Sequence, residues 1–405
     1  MVKKGFLLLF LFVALKCTKK DVFNVPAQII INPISKCENG LAGNYPCNDY
    51  DLLAFIPLDE MSGLNTSGND CWGWVDPETN KEYALMATNK GVTFIDISDP
   101  ANTVILGTLK TRTVNSSWRD VKVFNSFAYV VSEATDHGVQ IFNLTKLKDV
   151  SNPPVEFNSD SDFTLVKSAH NIFINNDSGF AYVVGSPDYQ GGPIFLDINS
   201  PFVASVAGNY SAGGYSHDVQ VVTYNGPDTD YTGKEILIGS NENEVAIIDV
   251  TDKRRPIKIS TISYPNIGYT HQGWFTEDFK YFLLGDELDE RDFGTNTRTV
   301  IFDFTDLDNP VHHMDYLGPT AAIDHNGYVK DNIFYQANYT GGVRMIDISD
   351  IENKNLREVG YFDTYPENNN TSSNGAWNVY PFFPSGNIII SDINRGLFVI
   401  RKKGS

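Results

Sequence analysis

The chain has few basic residues for its acidic content. Lys and Arg together number 31, against 50 Asp and Glu, so the formal net charge is −19 at pH 7. A surface of this sign repels the phosphates of DNA and RNA and anionic lipid headgroups. Because the sequence shows no local basic patch, we expect no nucleic-acid partner.

Long apolar runs and low-complexity tracts are also scarce. The apolar run from Phe6 to Leu15 has the length of the apolar region of an export signal and is too short to span a bilayer. The near absence of low-complexity sequence predicts that most of the 405 residues fold. A hydrophobic content of 41% is ample for a large core.

The N-terminal segment has the order of an export signal. Lys3 and Lys4 precede the apolar run, and Cys17 follows it directly. This order resembles a bacterial lipoprotein signal, which predicts residues 1–16 as the signal peptide and Cys17 as the lipidated first residue of the mature chain. The alternative is an ordinary signal peptide that is cut nearby, since Lys16 stands where a small residue is usual.

The other cysteines are Cys37, Cys47 and Cys71. An exported chain meets an oxidising compartment, so we predict a disulfide between the first two, which flank a short Gly-containing loop. Cys71 is predicted to be a buried free thiol. We therefore expect a tether and disulfide loop over residues 17–47 and the main folded domain over residues 48–405.

One phrase recurs along that domain: a turn, a short apolar strand, Asp or Asn, and then Ser or Thr. Its copies are GVTFIDISDP (91–100), GVQIFNLTKL (138–147), GPIFLDINSP (192–201), EVAIIDVTDK (244–253), TVIFDFTDLDNP (299–310), GVRMIDISD (342–350) and GLFVIRKK (396–403). Two further apolar strands precede each copy. Three or four short strands per unit, repeated seven times, predict an all-β fold, a seven-bladed β-propeller.

The seventh copy ends at its third strand. The segment from Asp51 to Leu58 has the pattern of a fourth strand and precedes the first full repeat. We expect it to pair with the last blade, because this pairing would close the ring and remove two exposed sheet edges.

Each repeat carries a landmark residue at its predicted first strand. The landmarks are Trp72, Arg119, His170, His217, His271, His325 and Trp377. First strands line the channel of a propeller, so the imidazoles should meet at one channel mouth. The second strands end at the same mouth, and the acidic residues there include Glu133, Glu242, Asp286, Glu287 and Asp392.

This set of side chains predicts a divalent metal site. Imidazole nitrogen with carboxylate oxygen suits zinc or another first-row ion, whereas carboxylates with carbonyls suit calcium. No local spacing such as His-x-x-x-His supports the prediction. The alternative is that each landmark forms hydrogen bonds within its own blade, with the following residue as a partner. Those following residues are Asp120, Asn171, Asp218, Gln272, Asn326 and Asn378.

Local catalytic motifs are absent from the sequence. It contains no Gly-x-Ser-x-Gly elbow and no complete phosphate-binding loop. The acidic segment 285–298 lacks the pattern of an EF-hand. We expect it to be a solvated rim loop in which Arg291 and Arg298 pair with its acids.

The apolar-apolar-Asp phrase resembles the LVIVD repeat. The strings CENGLAGNYPCNDYDLLAFIPL, CWGWVDPETNKEYALMAT, SWRDVKVFNSFAYVVSEATDHGVQIFNLT, SHDVQVV and GDELDE are similar to the bacterial choice-of-anchor B family, over nearly the whole mature chain. The resemblance implies an exported propeller held at the cell envelope by one of several anchors. The C-terminal LFVIRKKGS resembles no sorting sequence, and the resemblance therefore favours Cys17 as the anchor. The family resemblance implies no ligand and no reaction.

We therefore expect a lipid-anchored protein of the bacterial cell envelope that binds a protein, peptide or glycan at the channel mouth without catalysis. The alternative is a metal-dependent hydrolase or lyase that uses the His and carboxylate side chains. An enzyme of this kind needs three or more ligands that converge on one point, an open coordination position and a reachable pocket. A scaffold needs only a hydrogen bond from each His.

Overall fold

The recurrent phrase forms the third strand of a blade, and its polar residues form the turn that ends this strand. In blade one, Asp96 Oδ1 accepts hydrogen bonds from the Ser98 backbone N–H at 3.0 Å and from its hydroxyl at 2.6 Å. Asp347 and Ser349 repeat both bonds in blade six. The hydrogen bond from the backbone N–H of one residue to the side-chain oxygen two positions earlier recurs in Asn143–Thr145, Asp197–Asn199, Asp249–Thr251 and Asp303–Thr305. The repeat is thus a local turn in which a side chain replaces a backbone acceptor.

The structure is a computed structural model that describes residues 34–405. Cys17 and the predicted signal peptide, residues 1–16, lie outside the described residues. Three strands precede the first repeat: β1 (Leu41–Ala42), β2 (Tyr45–Asn48) and β3 (Tyr50–Pro57). Two short helices are α1 (Leu58–Ser62) and α2 (Asp289–Phe293). The 3₁₀ turns are Pro100–Asn102, Leu144–Asp149, Asp188–Gly191, Pro201–Val203, Thr229–Tyr231 and Ile351–Asn353.

The repeats form seven antiparallel blades, and the strands of each blade follow one another from the channel outward. Blade one has β4 (Gly68–Val75), β5 (Glu82–Thr88), β6 (Gly91–Asp96) and β7 (Val104–Lys110). Blade two has β8 (Arg119–Phe124), β9 (Phe127–Ser132), β10 (Val139–Asn143) and, as its outer strand, β12 (Ser161–Phe163). Strand β11 (Val155–Phe157) precedes β12 in the chain but pairs in parallel with β7 of blade one. Blade three has β13 (Asn171–Asn175), β14 (Phe180–Val184), β15 (Ile194–Asp197) and β16 (Ser205–Asn209). Blade four has β17 (Asp218–Thr223), β18 (Glu235–Ser240), β19 (Val245–Asp249) and β20 (Ile257–Ile262).

Blades five to seven complete the ring. Blade five has β21 (Thr270–Phe275), β22 (Tyr281–Asp286), β23 (Arg298–Asp303) and β24 (Val311–Leu317). Blade six has β25 (Gly327–Lys330), β26 (Ile333–Ala337), β27 (Val343–Asp347) and β28 (Arg357–Phe362). Blade seven has β29 (Ala376–Tyr380), β30 (Asn387–Asp392), β31 (Gly396–Lys402) and, as its outer strand, β3. The predicted seven-bladed propeller is therefore confirmed.

Strand β3 closes the ring as predicted. It pairs antiparallel with β31, from Tyr50 opposite Lys402 to Pro57 opposite Gly396. It begins and ends one residue earlier than the segment proposed from the sequence. The first and last parts of the described chain therefore share one sheet, and blade seven gains its fourth strand.

The predicted disulfide loop also contributes strands. Hairpin β1–β2 adds to the outer edge of blade six, where Cys47 lies opposite Phe362. Cys37 and Cys47 form a disulfide with an S–S distance of 2.04 Å, and the backbone N–H of Cys37 donates to Asp51. These contacts cover the edge of β28.

The second strands of the blades are largely apolar, without strict alternation, because each blade packs between two others. Every residue of β5, EYALMAT, is buried. A sheet covered on both faces favours continuous apolar runs over the two-residue period of a half-exposed strand. Cys71 is a buried free cysteine, as the sequence predicts. Within residues 34–405, no helix is both long and apolar enough to cross a membrane.

Candidate functional site at the channel mouth

Four histidines and a tryptophan form a continuous row of neighbouring, tilted rings at one mouth of the channel, which we call the histidine arc. Its members, in ring order, are His170, His217, His271, His325 and Trp377. Successive ring centroids are 4.1, 4.2, 4.3 and 4.5 Å apart. Each residue lies at or just before the first strand of its blade, so the repeat places one ring per blade around the channel. The sequence prediction that the imidazoles meet is thus reproduced in the structure.

The hydrogen bonds of the arc run from one blade to the next. Nδ1 of His217 lies 3.2 Å from the carbonyl oxygen of His271, and Nδ1 of His271 lies 3.0 Å from that of His325. Nδ1 of His325 lies 2.7 Å from the carbonyl oxygen of Trp377. A carbonyl only accepts, so each of these Nδ1 atoms carries the proton and each Nε2 keeps its lone pair. The predicted alternative of bonds within a blade does not describe these contacts.

Burial keeps these imidazoles neutral. His217, His271 and His325 are 5%, 2% and 4% exposed. Burial lowers the pKa of His271 and of His325 to about 3, with a further contribution from neighbouring imidazoles, and it lowers the pKa of His217 well below its ordinary value. Neutral imidazoles are the form that binds metal ions.

Two members of the arc converge with one carboxylate. His271, His325 and Glu287 each offer an atom, and these atoms all lie within 4.8 Å of one another. Nε2 of His271 is 3.6 Å from Oε2 of Glu287. The Tyr339 hydroxyl donates to Oε1 of Glu287 at 2.8 Å, and the Tyr339 ring packs 4.7 Å from the ring of His325. The sequence did not assign Tyr339 to this cluster, and its ring is buried, with 2% exposed.

The other predicted ligands lie elsewhere. His170 Nδ1 pairs with Oε1 of Glu133 at 2.6 Å, and the exposed Glu242 joins Thr270 through a backbone bridge. The Asp286 carboxylate accepts from the Tyr264 hydroxyl at 2.8 Å. Asp286 also accepts from the backbone N–H groups of Gly268 and Tyr269, whereas Glu287, just beyond β22, lies beside His271.

Asp392 also has a structural role. Its Oδ1 accepts from the backbone N–H groups of Asn394 and Arg395 at 2.8 and 2.9 Å, which fixes the turn between β30 and β31. The acidic segment 285–298 is less solvated than expected. Asp289 and Glu290, in α2, are each 1% exposed, and Arg298 Nε donates to Asp289 at 2.5 Å. Arg291 pairs with Asp292 at the surface, as predicted.

A layer of polar side chains below the arc ties neighbouring blades together. Oδ2 of Asp120 accepts from the backbone N–H of Ile172 at 2.8 Å, and Asn171 donates to Asp218 at 2.8 Å. Lys122 is buried in this layer and forms ion pairs with Asp120 and Asp70. The residues that follow the landmarks thus join blades. The enclosed space beside the arc is about 20 Å³, room for a water or an ion.

Trp72 is the landmark that the sequence misplaces. The pairing of β4 with β5 shifts register between Gly68 and Cys71, so Asn69 occupies the landmark position, where its side chain accepts from the Arg119 backbone N–H at 2.8 Å. Trp72 lies deeper, and its ring packs 4.9 Å from that of Tyr380.

The opposite channel mouth holds an aromatic pocket of about 490 Å³. The aromatic side chains that line it are Trp72, Trp74, Phe173, Trp274, Tyr380 and Phe382. Phe382 packs against Tyr380, with ring centroids 5.3 Å apart. The sequence analysis missed this pocket, although its signal is a recurrent aromatic residue within the first strands.

Comparisons with known proteins define the class of fold. No protein-family model matches the chain, and no curated protein matches its sequence. Among solved structures, the chain is similar to the crystal structure of the β-propeller domain of Cps50 (Swd1) from Myceliophteria thermophila, with 10% sequence identity and a TM-score of 0.50. The match covers 79% of this chain and 93% of that chain. At this identity the likeness establishes a β-propeller, and the resemblance to the choice-of-anchor B family stays a prediction.

Proposed function

We propose that this chain is an exported propeller, held at the cell envelope through Cys17, that binds a protein partner without catalysis. The binding surface is the histidine face, defined as the loops that precede first strands or join second to third strands. In a propeller these loops open at the same channel mouth. The proposal includes membership of the choice-of-anchor B family with LVIVD repeats, on the sequence strings that resemble it.

Exposed apolar side chains on the histidine face carry this proposal. Their exposed fractions are Leu64 80%, Val114 60%, Trp118 46%, Leu165 74%, Tyr189 44% and Phe293 47%. They lie before the first strands of blades one, two and three, or between the second and third strands of blades three and five. Exposed apolar groups on one face are typical of a protein-binding surface, where Trp and Tyr often supply the central contacts.

A protein suits this surface better than a small ligand. The apolar side chains span several blades, whereas the space beside the histidine arc is only about 20 Å³. That small volume also favours binding over the alternative hydrolase or lyase. With a formal charge of −19 on the chain, we expect a partner with a basic rim around an apolar centre.

Capture from envelope fractions with a matched control tests the binding surface. Trp118→Ser with Leu165→Ser should abolish capture of the partner, and the purified partner should lose at least tenfold in affinity. Ile257→Ser with Val311→Ser alters side chains that are 63% and 55% exposed at the start of outer strands, so it should bind like the wild type. Equal capture by both variants would refute the histidine face as the binding surface.

Export and anchoring have a separate test. The Cys37–Cys47 disulfide supports an oxidising compartment. Cys17→Ser should release the exported protein from the membrane fraction and abolish labelling by a radioactive fatty acid. If the variant stays in the membrane fraction, Cys17 is not the anchor.

A further inference from the structure

We propose that His271, His325 and Glu287 bind one divalent first-row transition-metal ion, with zinc as the expected metal, at the channel mouth. This inference does not depend on the proposed partner binding. It narrows the predicted ligands to three residues from blades five and six.

None of the three proposed metal-ligand atoms is a hydrogen-bond donor. Because both Nδ1 atoms are committed to carbonyls, the Nε2 atoms of His271 and His325 are acceptors, as is Oε2 of Glu287. One ligand atom from each of the three residues lies within 4.8 Å of those of the other two, and Nε2 of His271 is 3.6 Å from Oε2 of Glu287. Acceptor nitrogens of two buried histidines beside a half-buried carboxylate are costly, and a cation at their centre relieves the cost. A role limited to holding the blades together would need the Nδ1 bonds alone.

The distances fit a tetrahedral ion. Zinc bonds to imidazole nitrogen and carboxylate oxygen are about 2.0–2.2 Å long, which places two ligands of a tetrahedral ion about 3.4 Å apart. The 3.6 Å between Nε2 of His271 and Oε2 of Glu287 is close to that separation. Two nitrogen donors disfavour calcium and magnesium, which prefer all-oxygen ligands.

Each proposed ligand is already oriented by a second contact. His271 donates to the carbonyl of His325, and His325 donates to that of Trp377. The Tyr339 hydroxyl donates to Oε1 of Glu287 at 2.8 Å and leaves Oε2 for the ion. Carbonyl and hydroxyl partners of this kind fix tautomer and orientation at metal sites, and losing one commonly costs 10–100-fold in affinity.

Direct titration tests the site. Full-length mature protein without an affinity tag is stripped with chelator and titrated with Zn²⁺ by calorimetry and with Co²⁺ by visible absorption. We expect one ion per chain and cobalt bands typical of four-coordination. Glu287→Gln should weaken binding at least 100-fold while keeping the Nδ1 bonds of both histidines. Tyr339→Phe should weaken it about 10–100-fold.

Controls separate a lost ligand from a lost fold. His325→Gln should also abolish binding, but it removes the bond to Trp377, so circular dichroism and the melting temperature accompany it. His312→Gln changes an exposed histidine that pairs with Asp315 and should bind like the wild type. Absence of stoichiometric binding by the wild type, or unchanged binding by a folded Glu287→Gln variant, would overturn the proposal. Neither result bears on partner capture.

Discussion

A buried hydrogen bond between Arg119 and His137 requires a neutral imidazole. Nη1 of Arg119 donates to Nε2 of His137 at 2.9 Å, and Nδ1 of His137 donates to the carbonyl of Gly138 at 3.0 Å. The two side chains belong to residues that are 2% and 0% exposed. A second proton on His137 would remove the acceptor and place two cations in contact. Acid should therefore destabilise the fold at this point.

The size of the effect follows from the pKa. Burial, and then the charges of Arg119 and Arg112, lower the pKa of His137 from 6.5 to about 4, against smaller opposing contributions from hydrogen bonds to Gly138 and Gln140. The unfolded chain takes up a proton below pH 6.5 and the folded chain does not, so stability is lost as the pH falls from 6.5 towards 4. At 1.36 kcal/mol per pKa unit, the loss between pH 7.5 and 5.0 is about 2 kcal/mol.

Urea unfolding of the wild type and of His137→Gln at both pH values measures the stability that the titration of His137 removes. Gln keeps an acceptor for Arg119 and does not titrate, so the wild type should lose about 2 kcal/mol more than the variant between pH 7.5 and 5.0. The other buried histidines are common to both proteins and cancel in the difference. His312→Gln, an exposed substitution, should behave like the wild type. Equal losses for His137→Gln and the wild type would refute the reasoning.

The disulfide, a buried ion pair and the aromatic pocket give three further predictions. Replacing Cys37 and Cys47 by Ser should lower the unfolding free energy by about 3 kcal/mol, the value for a loop of this size, and an unchanged melting temperature would contradict it. The buried ammonium of Lys253 lies 2.6 Å from the carboxylate of Glu235, and Glu235→Ala removes this ion-pair partner. Urea unfolding should show a loss of about 3–5 kcal/mol, and a loss below 1 kcal/mol would show that the pair is dispensable. Phe382→Ala opens the aromatic pocket and should cost about 2 kcal/mol with a red shift of tryptophan emission, and an unshifted spectrum would place Phe382 away from the indoles.

The blade count was predictable because its signal is local. The phrase that repeats encodes a buried strand and the turn that ends it, as Asp96 and Ser98 show. Neither feature depends on a distant residue. The closing strand was predictable for a related reason, since a single apolar segment ahead of the first repeat matched the blade that lacked a fourth strand.

The hairpin at blade six was not predictable from periodicity. Strand β1 has only two residues and β2 only four, too few to show an alternating pattern. Their position is set by burial of Cys47 against Phe362 and by the bond from Cys37 to Asp51. These contacts join segments far apart in the chain.

The error at Trp72 has a specific cause. An irregularity between Gly68 and Cys71 shifts β4 against β5. Blades five and seven have the same kind of irregularity at their landmarks, His271 and Trp377, so in blade one it marks Asn69 and Asp70, ahead of Trp72, as the landmark position. The tryptophan was therefore assigned to the wrong mouth of the channel, and the aromatic pocket around it was overlooked.

The choice of ligands within the histidine arc depends on contacts between blades. Which nitrogen of His271 stays free is decided by the carbonyl of His325 in the next blade, and His325 is fixed in turn by Trp377 in blade seven. Blade seven is complete only because β3, from the start of the described chain, pairs with β31. The geometry of the proposed metal site thus rests on ring closure, although its ligands come from blades five and six. A sequence pattern can place the imidazoles at one mouth, but only the closed ring determines where their lone pairs point.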